Sequence, residues 1–194
     1  MYSTDAILLS SIPSGEADEF ASYFTKEFGK IRLRARSAKK IKTKQGNFMH
    51  MPSVVRFSFV AGKSGYIMSG IADEKHYPAI TSDLIAQAYV LSFFHLCDDI
   101  LYNEEKDSAL WKLMNRVLDE AENAAKLPED KKKATLWKSE KDWLMSLLDV
   151  LGLKPKEFTP EKAKTKKELD LYIQDLLQQA FERRIDFFGL KAHK

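Results

Sequence analysis

The sequence predicts an α+β protein, with a small closed β-barrel over residues 1–78 and an α-helical bundle over residues 79–194. Three observations predict it. Short runs of alternating apolar and polar residues, punctuated by glycine and proline, recur before Tyr77-Pro78, as half-buried strands require. After Pro78 the apolar period becomes 3.6, the period of a helix with one buried face. One concentrated cationic stretch, Lys30 to Lys44, lies within the strand-rich part.

Asp5 to Ile12 reads as the first strand, stopped by Pro13, Ser14 and Gly15. Glu16 to Phe28 is open between a second strand and a short helix, because Phe20, Tyr23, Phe24 and Phe28 sit near helical spacing. Gly29 is a turn residue. After it Ile31, Leu33 and Ala35 alternate with Arg32, Arg34 and Arg36, which sends the apolar set to a core and the arginines to one outer face. Gln45 to Met51 is irregular and ends at Pro52. Val54 to Ala61 is a strand, Gly62-Lys63-Ser64-Gly65 a hairpin turn, and Tyr66 to Ala72 the returning strand. Closure into a barrel removes the exposed edges that so many short strands would otherwise leave.

Pro78 suits a first helical position, where its missing N–H is not needed. One helix is expected from there to Tyr102, with Ile80, Leu84, Ile85, Ala88, Leu91, Phe94, Leu96 and Leu101 on its apolar face. A second follows Asp107-Ser108 through Leu110, Leu113, Met114, Val117, Leu118 and Ala121. A third carries Leu136, Trp137, Trp143, Leu144, Leu147, Leu148 and Leu151, and Gly152 ends it as a C-terminal cap. Thr165 and Glu168 have capping-box spacing before a last helix running toward Phe188.

The charge is unevenly spread. The chain has 31 Lys and Arg against 28 Asp and Glu, a net +3. Lys30 to Lys44 holds eight bases and no acid, so the remaining residues sum to −5. Such asymmetry speaks of partners rather than of fold. Two strand rises place neighbouring arginines about 7 Å apart, a ladder suited to a polyanionic backbone, and Ser37 to Lys44 reads as a basic loop able to close over a bound strand. With no carboxylate inside the stretch, phosphate binding is the expected use. Arg32, Arg34, Arg36, Lys39, Lys40, Lys42 and Lys44 are the candidate contacts, with Lys26 and Lys30 weaker ones at the edge. Phe48 in the following loop is open between stacking on a base and staying buried.

Several classes are disfavoured. An apolar fraction of 44% and a charged fraction of 30% are those of an ordinary globular chain, able to build a core without staples. One cysteine, Cys97, rules out an internal disulfide framework and a cysteine-built zinc site. The N-terminus lacks a charged region before its short apolar run, Ala6 to Leu9, so no signal peptide is expected. No apolar run approaches the ~20 residues of a membrane-spanning helix, and a cytoplasmic location is expected. Gly62-Lys63-Ser64 resembles the end of a phosphate-binding loop, but Phe57 stands where that motif needs glycine. His95 and Cys97 are expected in the core. Asp98-Asp99 and Glu104-Glu105 read as a solvated helix end. No hydrolase, zincin or dinucleotide motif is present. No enzyme, no cofactor and no metal are expected.

The order of pieces resembles the RecO family of bacterial DNA-repair and recombination mediators. The resemblance rests on Asp5-Ala6-Ile7-Leu8-Leu9-Ser10, Gly15-Glu16-Ala17-Asp18, Phe24-Thr25-Lys26-Glu27-Phe28-Gly29-Lys30 and Ala35-Arg36-Ser37-Ala38-Lys39-Lys40. Further on it is carried by Ala88-Tyr89, the Leu110 to Leu113 segment, and Leu147-Leu148 with Leu151-Gly152-Leu153 and Pro155. It covers the barrel well and the bundle loosely. It implies an OB-fold barrel on a helical domain, binding and annealing of single- and double-stranded DNA, and recombinase loading in a RecFOR-type pathway. The implied partners are a RecR-like protein and the acidic C-terminal tail of single-strand-binding protein. Many members carry a four-cysteine zinc module after the Leu-Gly-x-x-Pro segment, whereas Lys156 to Lys167 contains no cysteine. Two other readings stay open: an OB-fold RNA binder, or a protein adaptor whose basic loop docks an acidic partner.

Overall fold

The computed structural model describes residues 1–14, 18–35, 52–63, 65–153 and 165–181. Five strands come first: β1 (Tyr2–Ser14), β2 (Asp18–Thr25), β3 (Gly29–Ala35), β4 (Ser53–Gly62) and β5 (Gly65–His76). They close into a barrel in the order β1-β2-β3-β5-β4. All neighbours are antiparallel except β3 and β5, which pair in parallel through Leu33 with Tyr66 and Arg34 with Ile67. That one parallel closure joins two antiparallel ribbons into the five-stranded Greek-key barrel of the OB type.

The barrel interior follows the period of two. Ala6, Leu8, Ala21, Tyr23, Ile31, Leu33, Val55, Phe57, Phe59 and Met68 point inward and are buried. The ambiguity over Glu16 to Phe28 resolves as strand over Asp18–Thr25, with a turn at Lys26 to Phe28, while Glu16 and Ala17 lie outside the described residues. Phe20 and Phe24 are four apart, a spacing that serves either period, but Tyr23 goes inside with Ala21 while Ser22 and Phe24 face out. A bulge in β1 between Leu8 and Ser10 sets two residues against one. It moves Ser10 to the outer face and carries Ile12 with it.

The helices are α1 (Pro78–Thr81), α2 (Leu84–Ile100), α3 (Ser108–Ala125), α4 (Glu129–Val150) and α5 (Lys166–Phe181). The single helix expected up to Tyr102 is broken at Ser82-Asp83. The Asp83 carboxylate accepts from the Ala86 amide at 2.9 Å and starts α2 afresh. It also pairs with Lys132 of α4. The short α1 is capped from α3, where Glu122 accepts from the amides of Ala79 and Ile80 at 3.2 and 3.1 Å. Asp107 caps α3, its carboxylate accepting from the amides of Ala109 and Leu110 at 2.8 and 2.9 Å. Gly152 closes α4 at φ +69°. The Leu153 amide donates to the Leu148 carbonyl at 2.8 Å and the Gly152 amide to Asp149 at 3.1 Å, the paired bonds of a Schellman ending. The Glu168 amide donates to the Thr165 hydroxyl at 3.2 Å, half of the expected capping box.

The helical core is continuous with one outer face of the barrel. Ile7, Leu9 and Phe24 from β1 and β2 are buried in the same cluster as Phe93, Phe94, Cys97, Trp143, Leu147 and Ile173. Phe93 and Trp143 rings lie 4.7 Å apart at its centre. Cys97 is fully buried, as expected, and burial pushes its thiol pKa up, which keeps it protonated. His95 is not in the core: it is exposed on the opposite face of α2.

The junction is polar as well as apolar. The expectation of a solvated end at Asp98 is overturned, because Asp98 accepts from Ser10 at 2.5 Å and Ser22 at 2.6 Å and pairs with Lys30 at 2.9 Å. Lys30 also donates to the carbonyls of Asp98 and, at 3.3 Å, Leu101. A cation thus meets the negative end of α2. Beyond α2 the chain returns along the barrel, with the Glu104 amide donating to the Lys30 carbonyl at 2.7 Å. Gly29, at φ +69°, lies so close that a Cβ there would sit 2.2 Å from the Glu105 carbonyl oxygen. Glycine is demanded twice, by backbone angle and by approach.

Candidate nucleic-acid interface

Three cross-strand rows run over the outer face of β1, β2 and β3. Ile7, Phe24 and Lys30 form the first, which the helices cover. Ser10, Ser22 and Arg32 form the second, whose serines are taken by Asp98. Ile12, Phe20 and Arg34 form the third, and it is open. Ile12 is 65% and Phe20 48% exposed. Arg34 continues the row to Ile67 of β5.

The predicted cations divide accordingly. Arg32 and Arg34 are exposed on β3, on the outer face that the alternation predicts. Arg36, Lys39, Lys40, Lys42, Lys44 and Phe48 lie outside the described residues. Lys26 is exposed in the turn between β2 and β3. Lys30 must be struck off the edge candidates: its side chain is 3% exposed and committed to Asp98. It shares the parity of Arg32 and Arg34, but α2 covers its end of the strand.

Arg34 is not free either. Its Nε and Nη2 donate to one oxygen of Asp18 at 2.8 and 2.6 Å. The cationic stretch itself lacks a carboxylate, but the neighbouring strand supplies one. The pair fixes the guanidinium and competes with any phosphate brought there. An exposed ion pair contributes only ~0–1 kcal/mol. Asp18→Asn is therefore expected to raise affinity for a single-stranded oligonucleotide by up to about fivefold. A lower affinity, measured by anisotropy at low salt, would instead mark Asp18 as holding Arg34 in its binding pose. Among the described residues no carboxylate pairs with Arg32.

Sequence reasoning missed Ile12, Phe20 and Asp18. Phe20 was hidden by its helical spacing and Ile12 by the bulge. Asp18 was legible only as part of a motif, because its partner is sixteen residues away. Among the described residues, no three His, Cys, Asp or Glu side chains converge as an ion site. No helix among them is long and apolar enough to cross a membrane.

The closed barrel, its one parallel pair and its open cationic strand define the class: an OB-like barrel carried on a helical module. Residues 1–72 match the family model described as Recombination protein O N terminal, so the N-terminal barrel is similar to that of RecO proteins. The DNA repair protein RecO of Thermodesulfovibrio yellowstonii is 38% identical over 77 residues, 40% of this chain and 30% of that relative. That of Geobacter metallireducens is 25% identical over 129 residues, 66% of this chain and 53% of the relative. That of Listeria welshimeri is 26% identical over 119 residues, 61% and 46% respectively. The matched stretches thus span about half or less of the length of these relatives.

Proposed function

We propose that the chain is a non-enzymatic DNA-binding protein of repair and homologous recombination that binds single-stranded DNA along β3 and the basic stretch after it. The observation that carries this reading is that Arg32 and Arg34 are both exposed on the outer face of β3 in an OB-like barrel. The barrel, residues 1–78, is the nucleic-acid-binding unit, and residues 79–194 form the helical domain. Arg32, Arg34, Arg36, Lys39, Lys40, Lys42 and Lys44 contact phosphates without reading bases. Annealing follows if this cationic surface holds two strands and screens their repulsion. The likeness to RecO proteins supports recombinase loading as the wider role, in the cytoplasm on the nucleoid. It also supports a RecR-like protein and the acidic tail of a single-strand-binding protein as partners.

The test is the affinity for a fluorescent single strand across a salt series. Neutralising Z phosphates gives a slope of log affinity against log salt near −0.7Z. The expected slope is about −3 or steeper, as four or more contacts would give. A shallow slope with tight binding of an acidic peptide would put an adaptor in place of the DNA reading. Tighter binding of RNA than of DNA of equal length would shift the substrate.

A further inference from the structure

We propose that Phe20, with Ile12 beside it, is a stacking platform for an unpaired base, and that it makes the barrel face prefer single strands to duplex. This rests on the barrel-face reading above and adds to it the feature of the nucleic acid that is recognised. Of these three rows across β1, β2 and β3, the helices cover the first, Asp98 takes the serines of the second and leaves Arg32 exposed, and the third is open with two large apolar side chains and an arginine. Adjacent strands are about 4.8 Å apart, so the row from Ile12 to Arg34 spans about 10 Å. A strip of that width offers an apolar surface flanked by positive charge. A single strand offers the complement: flat base faces on one side and phosphates on the other. In a duplex the base faces are hidden in the stack, and only the phosphates remain to meet Arg32 and Arg34. The Arg34–Asp18 pair strengthens the assignment. It fixes the guanidinium at the end of that row, beside Phe20, while Arg32 lies exposed one row away.

The experiment uses the whole chain with Phe20→Ser, Ile12→Ser and Phe20→Trp, against one fluorescent oligonucleotide both single and as a blunt duplex. Phe20→Ser is expected to weaken single-strand binding by about 5- to 150-fold, the range for losing one stacked base. Duplex affinity and the salt slope should stay unchanged, because no phosphate contact is lost. Ile12→Ser should act in the same direction but less, and Phe20→Trp should restore binding. A 2-aminopurine base in the oligonucleotide should be quenched by saturating wild type and not by saturating Phe20→Ser. That readout separates stacking from any change in stability. Equal losses for single strand and duplex, or no quenching by wild type, would overturn the platform. If Phe20→Ser bound normally while Arg32 and Arg34 variants flattened the salt slope, the barrel face would stand and the platform would fall. Failure of wild type to bind either oligonucleotide would overturn both.

Discussion

Asp98→Ala is expected to destabilise the protein by about 3–5 kcal/mol, the cost of removing one partner from a buried ion pair. The loss does not come from the attraction alone. Lys30 remains 3% exposed, with no carboxylate to offset its charge, and the Ser10 and Ser22 hydroxyls lose their acceptor. Asp98 is itself only 16% exposed, so little water reaches the gap. The double variant Lys30→Met with Asp98→Leu should recover most of the stability, since replacing both charges by apolar groups is often near neutral. Denaturant unfolding of the three proteins checks this. Equal stability of Asp98→Ala and wild type would mean that the junction is held by Ile7, Leu9 and Phe24 alone.

The same site sets an acid response. Burial alone would raise the Asp98 carboxyl. Hydrogen bonds from Ser10, Ser22 and Lys30, together with the Lys30 charge, outweigh it and hold the pKa below the ordinary 3.8. The unfolded state then takes up the proton first as pH falls, so its contribution is full above about pH 5 and lost progressively below that. Asp83 adds to the effect: burial opposes ionisation there too, and Lys132 and the α2 amides reverse the balance. Wild type should lose stability on acidification more steeply than Asp98→Asn. Parallel pH profiles would show that Asp98 does not carry the response.

Charge reversal of both strand arginines, Arg32→Glu with Arg34→Glu, is expected to weaken single-strand binding by about 100-fold or more. Each hydrogen bond to a charged group contributes ~1.5–3 kcal/mol, and reversal adds repulsion to the loss. Two lost phosphate contacts should also flatten the salt slope by about 1.4. Both side chains are exposed on the outer face of β3, so the barrel should keep its thermal stability. The effect is thus expected in binding and not in folding, the reverse of Asp98→Ala. An unchanged affinity would move the binding site off β3.

Much of this architecture is legible in local pattern. The inward set of β3, the hairpin at Gly62 to Gly65, the caps at Asp107 and Gly152 and the change of period at Pro78 all depend on residues within a few positions of one another. Local sterics and hydrogen bonding decide such features, and a sequence carries them openly. The break at Asp83 was less visible, because a capping residue in the middle of an apolar period competes with the pattern that surrounds it.

The sequence by itself determined that strands precede helices, that one strand alternates apolar residues with arginines, and that positive charge is concentrated after it. Only the tertiary structure decided which of those cations are available. Lys30, Arg32 and Arg34 have the same parity and the same sign of charge. Yet Lys30 is buried against Asp98, sixty-eight residues away, Arg34 is held by Asp18 across a strand pair, and Arg32 stands open between them. The bulge in β1 likewise turned Ile12 out beside Phe20. Register, bulge and covering helix join residues far apart in the chain. Local periodicity reports which face a side chain takes within its strand, but what lies against that face is settled only when the barrel closes and α2 docks.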